Sequence, residues 1–203
     1  MRESSNILDV AALRPDYMGL IFYDRSPRYV GEDFELPVDF PSDVKKVGVF
    51  VNATTEMMIE KVKRYQLDYL QLHGDEPVEQ VKDLRQLGVP VIKVFSVDEH
   101  FNFTLTEAYQ PYVSFFLFDT KGKHYGGNAT VFDWSILQKY SQAVPFFLSG
   151  GLSPENVNDI ALLPEGMNIH ALDVNSGVEL SPGLKDVGKV NSLKEILKSL
   201  TIR

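Results

Sequence analysis

Asp119 closes the run Phe115-Phe116-Leu117-Phe118. A carboxyl group held against so apolar a wall loses solvation of its ionised form, which raises its pKa and keeps a proton available for general acid catalysis. The same residue can instead cap a helix or pair with Lys121. Arg28 stands in Ser26-Pro27-Arg28-Tyr29, a loop that proline stiffens. A guanidinium there can grip a carboxylate through two parallel hydrogen bonds, although many loop arginines only hold solvent. His73 ends Tyr69-Leu70-Gln71-Leu72 and reads either as a site residue or as a satisfied histidine at a rim. Asp173 lies within Ala171-Leu172-Asp173-Val174. Burying a carboxylate in such a run is costly unless it is paired or used, which favours a site role.

A second kind of chemistry is anion binding by backbone amides. Phe146-Phe147-Leu148-Ser149-Gly150-Gly151-Leu152-Ser153-Pro154 reads as a strand, a Gly-Gly turn and the start of a helix. N–H groups there can face an anion at a helix N-terminus. Further along, Asp173-Val174-Asn175-Ser176-Gly177 ends another buried run in small residues. Gly150, Gly151, Ser176 and Gly177 are therefore the candidate phosphate cradle.

The elements that must position these groups are visible as short apolar runs at 17–23, 46–51, 69–72, 91–95, 115–118, 146–148 and 169–174. Runs of this kind suit strands buried on both faces. Amphipathic stretches at 55–65, 77–87, 134–140, 154–163 and 184–200 lie between or after them, with Asp133 and Ser153-Pro154 as capping signals. Strict β-then-α alternation implies a parallel sheet. Polar or glycine clusters follow nearly every strand, which favours a TIM (β/α)8 barrel with its site at the C-terminal rim over an open sheet with one crevice. In such barrels the last two strands commonly carry the phosphate site, which is where the two glycine-containing turns fall.

The 203 residues suit a single domain over 1–203. A balance of 20 Lys+Arg against 28 Asp+Glu, with no basic stripe, makes nucleic acid and anionic membranes poor partners. No apolar run approaches the roughly 20 residues that span a bilayer. The absence of cysteine and four well-separated histidines offer no metal cluster, and the inventory suits a reducing cytoplasm. The expectation is a cytoplasmic protein, monomer or homodimer, with a small phosphorylated substrate and no metal.

Several motifs occur in a definite order. They are Asp16-Tyr17-Met18-Gly19-Leu20-Ile21-Phe22 with Ser26-Pro27-Arg28, Gln71-Leu72-His73-Gly74-Asp75, Phe118-Asp119-Thr120-Lys121, Tyr125-Gly126-Gly127, Leu148-Ser149-Gly150-Gly151, and Asp173-Val174-Asn175-Ser176-Gly177-Val178-Glu179 followed by Pro182-Gly183-Leu184-Lys185-Asp186. As a set the chain resembles phosphoribosylanthranilate isomerase. The resemblance implies a cofactor-free Amadori rearrangement in tryptophan biosynthesis, from N-(5-phosphoribosyl)anthranilate to 1-(2-carboxyphenylamino)-1-deoxyribulose 5-phosphate. It implies that Asp119 is the acid, that Arg28 takes the anthranilate carboxylate, and that amides around Gly150, Gly151, Ser176 and Gly177 take the phosphate. His73 and Asp173 would line the site.

There are two departures from the family pattern. Ala129 stands where a further glycine is common. Family members also open with a strand ending in Lys-x-Cys-Gly-Met-Arg, whose cysteine is the general base, and Met1-Arg2 matches only the end of that motif. The expectations are a first strand missing from the barrel, free edges on the strands at 17–23 and 169–174, and an impaired isomerase. The alternatives are a non-catalytic barrel that binds phosphorylated ligands or a partner, and a different sugar-phosphate isomerase.

Overall fold

Seven strands hydrogen-bond in sequence order, all parallel: β1 (Tyr17–Ile21), β2 (Lys45–Phe50), β3 (Tyr69–Leu72), β4 (Val91–Val97), β5 (Phe115–Thr120), β6 (Phe146–Ser149) and β7 (Ile169–Leu172). The structure, a computed structural model, describes residues 1–120 and 134–200. Lys121, the 125–130 loop with Ala129, and Asp133 lie outside the described residues. Helices α1 (Ser4–Ala12), α2 (Thr55–Tyr65) and α3 (Val78–Gln86) precede β1, β3 and β4. A hairpin of β8 (Glu179–Ser181) and β9 (Leu184–Lys185) leads into α4 (Val187–Ser199).

Burial on two sides explains why the strands read as continuous apolar runs. Val47, Ile92, Val94, Leu117 and Phe147 pack together on the inner face. Phe116, Phe118, Phe146 and Leu148 belong to a second cluster that includes Trp134 and Leu193 of α4. Alternate residues of one strand thus enter different cores, so no polar face is left to mark the alternation. The sheet curls far enough that Tyr17 of β1 meets His170 of β7, with the phenol oxygen 2.7 Å from Nε2. The architecture is that of a TIM-like barrel wall with one seam, between β1 and β7.

Along that seam, among the described residues, the outer edge of β1 pairs only at Ile21, whose carbonyl accepts from Val30. Side chains span the gap instead. Tyr17 and His170 meet near its base, and Arg28 and Glu179 meet at its rim. Asn6 of α1 exchanges two hydrogen bonds with the Lys185 backbone, at 2.9 and 2.8 Å.

Three expected helices differ. The stretches at 134–140 and 154–163 form 3₁₀ helices, Trp134–Lys139 and Val157–Leu162. Asn156 accounts for the second: its side chain accepts from the Ser153 amide and donates to Gly151, which holds Ser153–Asn156 as a turn and delays the helix. The third, at 184–200, starts late at Val187. Pro182-Gly183 turns the hairpin, with Gly183 at φ 87°, and Asp186 then caps α4 through the Lys189 amide.

Candidate active site

The alternation of β5 sets the direction of Asp119. Phe116 and Phe118 are fully buried in the outer cluster, while Phe115 and Leu117 pack inward. Asp119 follows in the inward column at the C-terminal rim. Phe116 and Phe118, half of the apolar wall expected around it, therefore face the other way, and its side chain is 32% exposed. Its described neighbour is His73, whose Nε2 lies 3.8 Å from the Asp119 Oδ2.

His73 is held from below. Its amide donates to the Phe50 carbonyl at 2.8 Å, and Gln71 Nε2 lies 3.3 Å from its Nδ1. The next amide, Gly74, donates to the Glu76 carboxylate, which also accepts from the Asn52 amide and from Lys93 Nζ at 2.9 Å. Glu76 and Lys93 are both buried. A buried charge pair is tolerable only when its remaining hydrogen-bonding capacity is filled, as here. It ties the ends of β2 and β3 to the middle of β4 under the rim.

Asp173 directly follows β7. Its amide donates to Leu148 and its Oδ2 accepts from Ser149 Oγ at 3.0 Å. Enclosure by protein pushes its carboxyl above the ordinary range, and the Ser149 hydroxyl and the charge of His73 offset only part of that rise. The inference that this aspartate must be paired or used is met by Ser149.

The two glycine turns also come together. Gly150 and Gly151 take φ of 111° and 64°, conformations that side chains other than glycine rarely adopt. Gly177 lies in a 3₁₀ turn, Ser176–Val178, and a Cβ on it would stand 2.0 Å from the Leu152 carbonyl oxygen. Only glycine lets the loop after β7 press against the loop after β6. The expected helix start at Ser153-Pro154 is absent, so the cradle consists of turn amides without an α-helix end.

Arg28 reaches the same rim from the loop after β1. Its guanidinium is engaged by Glu179 through Nε at 3.0 and 2.9 Å and Nη2 at 2.6 Å. Lys185 Nζ donates to Glu179 at 3.1 Å and to both oxygens of Asn175. Glu179 is held below the ordinary carboxyl range: burial raises it, but hydrogen bonds from Arg28 and Gly183 and the charge of Lys185 outweigh that effect. Sequence reasoning assigned no role to Glu179, Lys185, Glu76 or Lys93. Their signal was charge beside a turn or inside an apolar run, and Arg28, the partner that brings Glu179 to the rim, is distant in sequence.

A cavity of about 610 Å³ joins the rim to the seam. His73, Asp173, Asn175 and Lys185 line its upper part, and Val47, Val49, Ile92 and Phe147 its inner wall. The volume is that of a small-molecule site. Among the described residues, no group of three or more His, Asp and Glu is placed to hold a metal ion. No helix among them is long and apolar enough to cross a membrane. A carboxyl group, an imidazole and a cation thus line one opening, a set suited to proton transfer on an anionic ligand.

Comparison with known proteins agrees with that chemistry. The sequence model of N-(5'-phosphoribosyl)anthranilate (PRA) isomerase matches residues 1–195. N-(5'-phosphoribosyl)anthranilate isomerase of Parabacteroides distasonis is 45% identical over 97% of this chain and 90% of its own length. A solved phosphoribosyl anthranilate isomerase, in complex with reduced 1-(o-carboxyphenylamino)-1-deoxyribulose 5-phosphate, superposes with a TM-score of 0.83 at 30% identity, over 98% of this chain and 96% of that one. Monomers of the dimeric enzyme from Thermotoga maritima give 0.77 at 29%, with the same coverage.

The raised pKa of Asp173 has a measurable consequence. The folded protein keeps this proton to higher pH than the unfolded chain does, so stability falls as pH rises from the ordinary carboxyl range through the folded pKa. Asp173→Asn removes that penalty. Its melting temperature should exceed the parent's at pH 7.5, with the gain shrinking toward pH 4. A constant offset at every pH would contradict the assignment.

Proposed function

The chain belongs to the N-(5'-phosphoribosyl)anthranilate isomerase family of tryptophan biosynthesis, and on that premise we propose how its rim performs the rearrangement. The observation that carries the reading is the convergence of Asp119, His73 and Asp173 with two glycine turns at the ends of β3, β5, β6 and β7. Amides around Gly150, Gly151, Ser176 and Gly177 take the phosphate, and Arg28 takes the anthranilate carboxylate. Held at both ends, the ribose lies across the rim with its ring oxygen at Asp119.

Asp119 donates a proton to the ring oxygen, and the bond from that oxygen to C1 breaks as the nitrogen lone pair forms C=N. A base, by the resemblance a cysteine, takes the proton on C2 to give the enaminol, which becomes the ketone as C1 gains a proton and the C2 hydroxyl loses its own. His73 and Asp173 line this path. The proposal treats 1–203 as one cytoplasmic isomerase domain, monomeric or homodimeric, with no cofactor.

The finer reading of the fold is a closed barrel in which one more parallel strand lies in the seam between β1 and β7. The edges of both strands face that seam, and a closed barrel of this class takes eight strands. The cavity there has apolar walls on the barrel side, Val47, Ile92 and Phe147, and on the helix side, Val10, Leu193 and Leu197. Such a slot suits a strand apolar on both faces. By the resemblance, the C-terminal end of that strand carries the cysteine base.

Turnover is read as the fall in anthranilate-type fluorescence. Asp119→Asn should lower kcat by roughly 10²–10⁴-fold, with little change in affinity for the reduced product. A rate within a few-fold of the parent would remove Asp119 from the chemistry.

The seam has its own test. An extended apolar peptide ending in Cys-Gly, added in trans, should raise both the melting temperature and turnover, and its Cys→Ala version should raise the melting temperature alone. A peptide that changes neither would contradict the eighth-strand reading.

A further inference from the structure

Three charged side chains meet where the loop after β1 approaches the β8–β9 hairpin, and counting their donors separates their roles. Lys185 has three N–H donors, and all three are placed: on the Asn175 carbonyl at 2.9 Å, Asn175 Oδ1 at 2.6 Å and Glu179 Oε1 at 3.1 Å. Arg28 has five. Glu179 takes the Nε proton and one on Nη2, which leaves the Nη1 pair and the second Nη2 proton uncommitted to Glu179. Of these, one Nη1 proton and the second Nη2 proton lie along the end of the guanidinium, the other geometry that grips a carboxylate with two bonds.

Glu179 is itself immobilised. Its side chain is 5% exposed, against 23% for Arg28. Oε1 also accepts from the Gly183 amide at 3.1 Å within the hairpin turn. Two cations against one anion leave one positive charge, which a single carboxylate on the ligand neutralises. The carboxylate of Glu179 therefore acts as a jig that fixes the guanidinium plane.

We propose that Glu179 is a positioning residue for carboxylate recognition, holding Arg28 by its Nε edge so that the Nη1–Nη2 end is presented to the arene carboxylate of the substrate. This rests on the reading of Arg28 given above. A rigid side chain loses less freedom on binding, so Glu179 strengthens binding although its own charge opposes an anion. That opposition makes the sign of the effect diagnostic. If Glu179 acted only through its field, removing it would tighten anion binding.

The test is calorimetric and needs no turnover. Two ligands are titrated into the parent chain, Glu179→Gln and Glu179→Asp: the reduced product, which carries a carboxylate and a phosphate, and ribose 5-phosphate, which carries only the phosphate. Both variants should bind the reduced product more weakly, roughly tenfold for Glu179→Gln, the order expected from releasing one immobilised side chain. Ribose 5-phosphate should bind all three proteins alike. In an Arg28→Ala background, Glu179→Gln should add no further loss.

Unchanged or tighter binding of the reduced product would overturn the proposal, as would an equal loss for both ligands or losses that multiply in the double variant. If Glu179→Gln does not fold, Glu179→Asp and the comparison between ligands decide in the same way. A parent chain that binds ribose 5-phosphate but gains nothing from the carboxylate would overturn the role of Arg28 and this proposal with it. A parent that binds neither would overturn the site as a whole.

Discussion

The seam between β1 and β7 is the constraint on which the rest of the molecule depends. A parallel sheet curled this far brings its two edges face to face, and backbone groups on those edges must find partners or water. In this structure side chains do the joining: Tyr17 to His170 near the base, Asn6 to the Lys185 backbone on the helix side, and Arg28 to Glu179 at the rim. The last of these links residues 151 positions apart. The contact that bridges the gap is therefore also the one that sets the cation of the site. If Arg28 takes the carboxylate as proposed, closing the wall and orienting the substrate meet at that corner.

The opposite side of the rim is organised differently. There the ends of β2 and β3 are tied to the middle of β4 by the buried Glu76–Lys93 pair and its backbone partners, and His73 sits on top of that knot. The site thus hangs between a buried, internally neutralised corner and a seam held by side chains. The proposed anion cradle lies near the seam, where Gly177 lets two loops touch. Phosphate and carboxylate would both bind on the seam side, while Asp119 and His73 approach from the opposite one.

Much of this was legible in the sequence for a physical reason. Strands buried on both faces must be apolar along their whole length, so all seven appeared as short runs, and 69–72 matched β3 to the residue. Helix 55–65 was equally plain because Thr54 caps it and its apolar stripe is regular. The 3₁₀ helices were not separable from α-helices, since a stretch of six residues cannot distinguish a period of 3.0 from one of 3.6. Asp119 was read as buried because its neighbours are phenylalanines, yet alternation turns the rings of Phe116 and Phe118 outward, and the carboxyl at the rim is one-third exposed. The Arg28–Glu179–Lys185 cluster was hidden for another reason: no local pattern records a contact between the first and last loops of a barrel.

A crystal structure with the reduced product bound tests the central claim most directly, because it reads all the assigned contacts together. The account predicts the phosphate on the amides of Gly150, Gly151, Ser176 and Gly177, the carboxylate on the free end of Arg28 with Glu179 still in place behind it, and the sugar C1–C2 end beside Asp119. A ligand whose phosphate lies away from the two glycine turns, or whose carboxylate displaces Glu179 from Arg28, would contradict it.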